Sequence, residues 1–404
     1  MRILQINTAD TRGGAAKVAY CLSKELKKMG HQSTMLVGQK FSSDENIFLF
    51  NDKKSFSMRL RRKMAYYFAN DIDLFSSDKI LKTKEFKEAD IIHCHNLHSY
   101  YFNLNTLKKI SRLKPIIWTF HDMWPITAHC GHTFGSEMGN GFFKCPSLET
   151  FPPIAWHNER YLESRKKKIY ENSKFHIVTP SKWLLKLVDQ SILKNKPTSL
   201  IYNGIDTNIF KPYPMENARH ELGLPKDKKI VLSVIKGGQS NPWKGPNYIS
   251  RAVKYFSNNE KVVFANIGGN DHELAQNMIS IPRVNDETIL AKYYSAADAL
   301  LYPSTADNCP LVVLEAQACG LPVVAFETGG IPELIKDKKT GHIANYKDAD
   351  DLNYYLGFLI NNSQQQVEEM RKRSTERVCE MFTLNLMVDK YLQLYKWILN
   401  SIKD

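Results

Sequence analysis

Two carboxylates in one short segment could accept hydrogen bonds from the hydroxyl groups of a sugar or a ribose. Asp307 and Glu315 are separated by seven residues within positions 302–320, YPSTADNCPLVVLEAQACG. A β-rich run ends at Tyr302, a polar loop follows, and Pro310 suits the first turn of a helix, where its missing N–H has no helical partner. Both carboxylates can accept hydrogen bonds from hydroxyl groups. The segment predicts a site for a hydroxylated ligand, and two unrelated acids beside a helix start are the alternative.

Backbone amides near these acids and near the N-terminus could bind the phosphates of the same ligand. The amides of Leu311 and Val312 lie at the predicted helix start, and Asn308 lies in the loop before it. Gly13 and Gly14 follow the first β-rich run and precede a helical pattern, where glycine lets the backbone approach an anion at the positive helix end. We expect these residues to contact the ligand. For the glycine pair, a tight turn without a ligand is the alternative.

Three further residues follow predicted strands, at the end of the sheet where ligands bind. Lys244 lies in the sequence WKG after a strand-end loop, and Lys236 lies closer to the same strand. Each lysine could offer a compact positive charge to phosphate, and solvated surface lysines are the alternative. His121 directly follows the predicted strand 116–120, where a structural histidine is the alternative.

A group of histidines and cysteines raises the question of a metal site. Its members are His93, Cys94, His95, His98, His129, Cys130, His132 and Cys145. On a strand, His93 and His95 share a face while Cys94 points the other way, so these three do not form a ready tetrahedral set. We therefore expect histidines that line a site, buried free thiols, no metal and no resident cofactor.

Two series of β-rich runs alternate with helical patterns and could position all of these residues. The first series covers 2–7, 33–37, 91–95, 116–120, 175–179 and 199–201, and the second covers 230–235, 262–267, 299–302 and 322–326. A polar stretch with prolines, 211–228, separates them as a linker. This order predicts an α/β protein with two Rossmann-like lobes and mostly parallel sheets, whose ligands bind beyond the carboxyl ends of the strands.

The end of the chain predicts a helix with one apolar face. Apolar residues recur at spacings of three and four at Leu384, Met387, Tyr391, Leu394, Tyr395, Ile398 and Ile402. A stripe of this kind needs a surface to bury it. We divide the chain into 1–213, 214–382 and the C-terminal helix 383–404.

Composition limits the partners and the location of the protein. Its 404 residues include 55 Lys and Arg against 42 Asp and Glu, a net charge of +13, which favours anionic partners. The sequence carries no zinc-finger or RNA-recognition signature, so we expect no nucleic acid. It has no apolar run long enough to span a bilayer, no signal-peptide pattern at its start and no CxxC pair among seven cysteines. We expect a cytoplasmic protein with reduced thiols.

One segment favours contact with an anionic membrane. If residues 56–68 are helical, Phe56, Leu60, Met64, Tyr67 and Phe68 share one side, while Arg59, Arg62 and Lys63 gather on another. An interfacial helix has this pattern. An ordinary helix with a solvated basic face is the alternative.

The segment 307–315 resembles the EX7E region of retaining GT-B glycosyltransferases, particularly glycosyltransferase family 4. Further segments follow the order seen in that family: the opening strand with Gly13 and Gly14, WTFHDMWP (118–125), VTPSKW (178–183), YNGID (202–206), WKG (243–245), YYSAADALLYPS (293–304) and TGGIPELI (328–335). The resemblance covers nearly the whole chain. It implies two lobes facing a central cleft, a last helix that crosses back to the first lobe, and transfer of a sugar from a nucleotide diphosphate donor with retention and without a metal.

The resemblance also assigns roles to single residues. Asp307 stands where the family usually has Glu and would hold the donor sugar, while Glu315 would bind the ribose. Lys244 would neutralise the diphosphate and His121 would contact the sugar. The arginine that usually lies six positions before the lysine is replaced by Gly238, and we expect Lys236 to supply the second charge.

The implied acceptor is a glycan or a lipid-linked saccharide in the assembly of a bacterial surface polysaccharide, at the inner face of the membrane. Two other functions stay open on this fold. A non-catalytic subunit that binds sugar nucleotides would tolerate the departures at Asp307 and Gly238. A nucleotide-sugar 2-epimerase would need no acceptor.

Overall fold

The protein consists of two compact units. The structure, a computed structural model, describes residues 1–50, 55–235, 241–268 and 276–401. Contacts between residues define unit 1 as residues 1–202 with 387–404, and unit 2 as residues 203–386. The expected boundaries put residues 203–213 in the first lobe and residues 383–386 in the C-terminal helix, but both segments have their contacts in unit 2.

Unit 1 contains a parallel sheet. Its described strands are β1 (Arg2–Asn7), β2 (Gln32–Val37), β3 (Ile47–Leu49), β4 (Ile91–Cys94), β5 (Ile116–Thr119), β8 (His176–Thr179) and β9 (Thr198–Leu200), with a small antiparallel pair formed by β6 (Met138–Gly139) and β7 (Phe142–Phe143). The strand order in the parallel sheet is β3-β2-β1-β4-β5-β8-β9. Every predicted strand of this half is confirmed to within one residue at each end. The sequence missed β3, in which only Ile47 is buried, because so short a run carries no periodic signal.

Helices pack on this sheet around a core that is rich in aromatic side chains. The described helices are α1 (Gly14–Lys28), α2 (Phe56–Tyr67), α3 (Lys84–Glu88), α4 (Thr106–Ile110), α5 (Glu159–Glu171) and α6 (Lys182–Gln190). The rings of Trp118, Phe120 and Trp124 are fully buried, and the Trp118 indole donates to the carbonyl oxygen of His95 over 2.7 Å. This core supports the loops that follow β4 and β5.

Unit 2 contains a second parallel sheet. Its described strands are β10 (Lys229–Val234), β11 (Val262–Ile267), β12 (Met278–Ile281), β13 (Ala299–Tyr302), β14 (Val323–Phe326) and β15 (Gly341–Ala344), and its helices are α7 (Met215–Glu221), α8 (Pro246–Tyr255), α9 (Glu287–Ala296), α10 (Leu311–Ala318), α11 (Ile331–Leu334), α12 (Ala349–Asn361) and α13 (Gln364–Met381). The strand order is β12-β11-β10-β13-β14-β15. The four predicted strands are confirmed to within one residue, and β12 and β15 were missed.

The stretch 211–228 is not the plain linker that the sequence predicts. It contains α7, and the buried Arg219 of that helix donates to the Asp298 carboxylate over 2.7 Å. A buried ion pair of this kind needs both partners, because removing one leaves an uncompensated charge. The stretch is therefore a packed part of unit 2.

The last helix, α14 (Leu384–Asn400), buries its apolar face as predicted. From Met387 onward it belongs to unit 1. The Tyr391 hydroxyl lies 2.9 Å from Thr119 Oγ1, and the Tyr395 hydroxyl lies 2.7 Å from His93 Nδ1. The C-terminal helix therefore docks on the first sheet, while Ile402 lies outside the described residues. Among the helices that the structure describes, none has both the length and the apolar character that crossing a bilayer requires.

Candidate functional site

In unit 2, the order of the strands places a ligand site beside β10 and β13. From β10 the chain proceeds outward to β11 and β12, and from β13 it proceeds in the other direction to β14 and β15. The neighbouring strands β10 and β13 therefore mark the switch point of the sheet, where ligands bind beyond the carboxyl ends in doubly wound folds. Lys244 follows β10 and Asp307 follows β13, so the topology explains why these two residues approach each other.

Lys244 and Asp307 form a charged pair at this point. The Lys244 ammonium contacts Asp307 Oδ2 and lies 3.0 Å from the Tyr302 hydroxyl, which in turn donates to Asp307 Oδ2 over 2.5 Å. Burial opposes the charged form of Lys244, but Asp307 and Tyr302 raise its pKa above the usual value. Burial and the Asp307 charge raise the pKa of Tyr302. The lysine is thus a fixed cation, held next to a carboxylate.

Two glycines allow this arrangement. A Cβ atom on Gly329, whose φ is +55°, would lie 1.7 Å from the Asp307 carbonyl oxygen, and one on Gly245, at φ +67°, would lie 2.0 Å from the Pro303 carbonyl oxygen. No other residue type fits at so close an approach with a positive φ. The glycines of the WKG and TGG segments therefore position the Asp307 loop, a role that the sequence analysis did not assign to them.

Hydrogen bonds also hold this loop against the turn that carries Lys244. The Ser304 hydroxyl and the Thr305 amide both donate to the Trp243 carbonyl oxygen, over 3.0 and 2.8 Å. The Tyr346 hydroxyl donates to the Thr305 carbonyl oxygen over 3.0 Å. The spacing between Lys244 and Asp307 is therefore set by backbone contacts on both sides.

The helix after the loop starts one residue later than predicted. Pro310 has an extended conformation and precedes the first helical residue, Leu311, so it caps α10 and does not lie in its first turn. Proline has no side-chain acceptor to offer the first amides. The amides of Leu311 and Val312 stand at the positive end of the helix dipole, where an anion is favoured.

Glu315 lies inside the fold. Its side chain is 4% exposed, and its Oε2 accepts a hydrogen bond of 3.0 Å from the Tyr294 hydroxyl. Burial and the neighbouring Glu315 raise the pKa of Tyr294 well above its usual value. Asn308 is also buried. The structure thus brings Lys244 and Asp307 together, gives Glu315 a separate partner, and leaves Lys236 and Gly238 outside the described residues.

In unit 1, His121 lies at the end of a hydrogen-bond chain across three adjacent strands. His121 Nε2 is 3.0 Å from His95 Nδ1, and His95 Nε2 is 2.8 Å from Gln5 Oε1. Because the Gln5 oxygen can only accept, His95 Nε2 carries a proton, His95 Nδ1 accepts, and His121 Nε2 donates. Burial lowers the pKa of His121 to about 4 and that of His95 well below its usual value. Both rings are therefore neutral near pH 7, and His121 Nδ1 is an acceptor.

Next to His121, an acid and a histidine stabilise the same loop. Asp122 Oδ2 lies 2.8 Å from His98 Nε2, and Asp122 Oδ1 accepts from the Trp124 amide over 3.0 Å. Burial opposes ionisation of Asp122, but His98 and these hydrogen bonds lower its pKa. Sequence reasoning gave Asp122 no role, although the HD dipeptide of WTFHDMWP was the available signal.

The backbone conformation at the start of α1 is itself a reason for glycine there. Gly13 adopts φ 112° and ψ 156°, a region open essentially to glycine alone, and no side chain caps the helix. No atom lies within 4 Å of a Cβ placed on Gly13 or Gly14. The tight turn is thus present, and contact of this pair with a phosphate stays a prediction.

Three histidines of the predicted cluster, His93, His95 and His98, are engaged in side-chain hydrogen bonds. His93 and His95 share a face as expected, with ring centroids 4.1 Å apart, and His93 also bonds to the Thr119 hydroxyl over 2.8 Å. Within the described ranges, no three His, Cys, Asp or Glu side chains are placed to share a metal ion.

Two known families match most of this chain. Residues 12–209 match the family described as Glycosyltransferase Family 4, and residues 214–377 match the family described as Glycosyl transferases group 1. The two matches cover the described strands from β2 to β15. The chain is a family 4 glycosyltransferase. Its fold is GT-B, with two Rossmann-like lobes, and its donor is a nucleotide sugar.

Individual relatives of this glycosyltransferase are distant in sequence. One is WcaC of Escherichia coli (strain K12), provisionally named a colanic acid biosynthesis glycosyl transferase, which is 26% identical over 83% of this chain and 85% of its own length. Among solved structures, the sucrose-phosphate synthase of Thermosynechococcus elongatus superposes with a TM-score of 0.71 at 18% identity, over 99% of this chain and 100% of its own. Anabaena HepE in complex with UDP has a TM-score of 0.66 at 15% identity, over 98% and 100%. These two structures support the fold.

Proposed function

We propose that this glycosyltransferase transfers a sugar from a nucleoside diphosphate donor to a lipid-linked or glycan acceptor during assembly of a bacterial surface polysaccharide. The relative WcaC, named for colanic acid biosynthesis, supports the pathway class. Structures of HepE with UDP, with UDP and glucose, and with UDP-glucose support a uridine nucleotide as the first donor to test. The proposed enzyme retains the anomeric configuration and uses no metal.

The observation that carries the proposal is the pair formed by Lys244 and Asp307 at the switch point of the unit 2 sheet. A partly buried cation next to a helix start suits a diphosphate. When the diphosphate takes Lys244 as its partner, the Asp307 carboxylate is freed to accept hydrogen bonds from hydroxyls of the transferred sugar. Glu315, one and a half turns into α10, is proposed to bind the ribose.

The proposed chemistry is largely electrostatic. The bond between the anomeric carbon and the diphosphate oxygen breaks, negative charge builds on the diphosphate, and the sugar gains oxocarbenium character. Lys244 and the amides of Leu311 and Val312 stabilise the leaving charge, because donors fixed beforehand need no reorganisation. The acceptor oxygen bonds to the same face of the anomeric carbon, and its proton passes to the departing phosphate. His121 contributes a neutral imidazole that accepts a hydrogen bond from the sugar.

A donor panel tests this function. The full chain is incubated with UDP and GDP sugars, with and without a bacterial lipid extract, in EDTA, and the released nucleoside diphosphate is measured. We expect release with one donor, stimulated by the extract and retained in EDTA. Conversion of the donor without release would indicate the 2-epimerase, and binding without turnover would indicate the non-catalytic subunit. Loss of activity in EDTA that a divalent ion restores would contradict the metal-free mechanism.

We propose further that helix α2 brings the enzyme to the cytoplasmic face of an anionic membrane. The apolar side of α2, together with the residue that follows the helix, faces solvent. Phe56 is 84% exposed, Tyr67 67% and Phe68 56%, and Leu60 and Met64 are also exposed. An ordinary helix of the lobe would bury that side, but α2 buries Met58 and Ala65. The Trp156 indole, half exposed, extends the patch and donates to the Tyr67 carbonyl oxygen over 2.9 Å. An exposed apolar face beside Arg59, Arg62 and Lys63 suits an interfacial helix.

A further inference from the structure

Unit 1 contains a pair of thiols that sugar transfer does not use. The backbone amide of Cys130, which is fully buried, donates to Cys145 Sγ over 3.1 Å. The Cys130 thiol also interacts with the same sulfur. The two residues are 15 positions apart, and the antiparallel pair β6–β7 lies between them. Cys145 is partly exposed, whereas Cys130 is not. Cys145 is therefore the more accessible residue of the pair.

A histidine of fixed tautomer lies beside this pair. His129 Nδ1 is 2.9 Å from the Pro152 carbonyl oxygen. A carbonyl can only accept, so Nδ1 carries the proton of the neutral ring and Nε2 holds the lone pair. Nε2 is buried and makes no hydrogen bond of ordinary length. His129 directly precedes Cys130, whose amide contacts Cys145 Sγ, and the ring interacts electrostatically with Cys145, so His129 is the candidate acceptor of the thiol proton.

Electrostatics favours the ionised form of Cys145. Burial opposes its ionisation, but the interactions with Cys130 and with the His129 ring lower the pKa of Cys145 below its usual value. Burial also opposes protonation of His129, and the Cys145 sulfur more than offsets it and raises the pKa of the ring. Burial raises the pKa of Cys130, so that this residue stays a thiol. These interactions favour a thiolate on Cys145 and an imidazolium on His129, next to the neutral Cys130 thiol.

Other charged groups face the same region. The buried Lys166 donates to the carbonyl oxygens of Trp124 and Thr127 over 2.7 and 3.0 Å. The positive charge of Lys166 acts to lower the pKa of Cys130. The Asp71 carboxyl group acts to raise the pKa of His129, and Cys145 acts to raise the pKa of Glu163. The lysine thereby adds positive potential near the thiols. Titratable groups of both charge signs therefore surround the dithiol.

We propose that Cys130 and Cys145 are a peroxide-reactive dithiol, with Cys145 as the nucleophile, His129 as its base and Cys130 as the resolving thiol. The Cys145 thiolate attacks one peroxide oxygen, the O–O bond breaks, and the departing hydroxide takes the imidazolium proton to form water. The Cys130 sulfur then attacks the sulfenic acid of Cys145, the S–S bond forms, and hydroxide leaves with the Cys130 proton as a second water. Two thiols and one hydrogen peroxide become one disulfide and two waters.

The disulfide would close the loop 130–145 beside a segment that the candidate site uses. The Gly131 carbonyl oxygen accepts from the Met123 amide over 2.9 Å, and the Gly131 amide donates to the Phe151 carbonyl oxygen over 2.7 Å. Met123 lies two positions after His121 in the chain. The dithiol is thus linked by one backbone hydrogen bond to the WTFHDMWP segment.

Chemical modification of the full chain tests the proposal without any variant. One equivalent of hydrogen peroxide is added, and peptides are mapped with and without reduction. We expect a link between Cys130 and Cys145, with two of the seven cysteines consumed. Iodoacetamide should label Cys145 at about pH 6, because the thiolate is the nucleophile. First oxidation at Cys379, or no link between 130 and 145, would overturn the proposal.

Variants then assign the roles. Cys130→Ser should leave a sulfenic acid on Cys145 that dimedone traps, and Cys145→Ser should abolish rapid peroxide consumption. His129→Asn keeps a polar group toward Pro152 but removes the base, so the pH midpoint of Cys145 alkylation should rise. Cys379→Ser is the matched control and should change nothing. An unchanged midpoint in folded His129→Asn protein would refute the base.

Discussion

His95 Nδ1 and His121 Nε2 lie 3.0 Å apart, and the other nitrogen of His95 bonds to Gln5. The three residues belong to or follow the adjacent strands β1, β4 and β5. The orientation of one side-chain amide therefore decides which nitrogen of His121 carries a proton. Under the proposed function, Gln5 therefore controls whether His121 Nδ1 can accept a hydrogen bond from the sugar.

Replacing Gln5 tests this control. Gln5→Met removes the acceptor, so His121 is expected to populate both tautomers and kcat to fall about tenfold with little change in KM, since a lost positioning contact acts in the transition state. Nitrogen-15 NMR of labelled histidines should show the Nε2–H form of His121 in the parent and a mixture in the variant. His176→Gln, on the same sheet but outside the chain of bonds, is the control. An Nδ1–H form in the parent would disprove the tautomer.

The histidine cluster also predicts how stability depends on pH. Burial lowers the pKa of His93 to about 3 and that of His121 to about 4. Because the unfolded chain binds protons at these sites below about pH 6.5 while the folded chain does not, their contribution is complete above that pH. It is lost as the pH falls toward 4, at about 1.4 kcal/mol per pH unit for each histidine.

Urea unfolding at pH 7, 6 and 5 measures this slope. His93→Gln keeps a polar side chain between Tyr395 and Thr119 but cannot titrate, so its stability should fall less steeply with decreasing pH than that of the parent. His220→Gln, at an exposed site of unit 2, is the control and should follow the parent. Equal slopes for all three proteins would show that these histidines do not set the acid limit.

The sequence predicted the fold, but not the contacts among the candidate site residues. Ten strands were predicted from β-rich runs, because such runs are local features of the sequence. β15 was missed because it begins at Gly341, and glycine is typical of a turn. The contact between Lys244 and Asp307 joins residues 63 positions apart, and no local pattern encodes it. Likewise, the apolar side of α2 was visible as a period of three and four, but periodicity does not tell whether that side faces the core or solvent.

Because Lys244 and Asp307 are paired, replacing one or the other should have opposite effects on binding of the nucleoside diphosphate product. Lys244→Met should weaken nucleoside diphosphate binding by about ten- to a hundredfold, because it removes a charged hydrogen bond. Asp307→Asn should slow transfer by a similar factor while product binding is unchanged or tighter, because Lys244 then loses the carboxylate that competes for it. Asp307→Glu restores the residue usual in the family and should keep more activity than Asp307→Asn. Calorimetry beside transfer rates decides this, and weaker product binding in Asp307→Asn would argue against the exchange of partners.

Glu315 should affect the nucleotide as a whole. Glu315→Gln is expected to weaken binding of the donor and of the nucleoside diphosphate alike, by about tenfold, through loss of a charged acceptor. Tyr294→Phe removes only the hydroxyl that holds Glu315 and should give a smaller loss in the same direction. Calorimetric titration with the nucleoside diphosphate measures both. A normal affinity in folded Glu315→Gln protein would mean that Glu315 serves the scaffold.

Vesicle binding tests the exposed face of α2. The full chain should pellet with anionic vesicles at low salt and be released as salt rises, because screening weakens the attraction to Arg59, Arg62 and Lys63. A double change, Phe56→Ser with Leu60→Ser, should abolish pelleting and leave donor binding intact. Tyr255→Ser, at a site of unit 2 that is 64% exposed, is the matched control for loss of an exposed apolar side chain. Equal pelleting of both variants would retire the membrane role of α2.

Two glycines with nearly the same backbone angle separate the effect of strain from the effect of close approach. Gly329 and Gly223 have φ of +55° and +65°, but a Cβ on Gly329 would meet the Asp307 carbonyl oxygen at 1.7 Å, whereas one on Gly223 would meet nothing within 4 Å. Gly223→Ala should therefore cost about 1 kcal/mol of unfolding free energy from the positive φ alone. Gly329→Ala must displace the loop that carries Asp307, so it should destabilise unit 2 further and reduce transfer at least as much as Asp307→Asn. Urea unfolding and transfer rates on the two variants make the comparison, and equal effects would show that the Asp307 loop yields without consequence for the site.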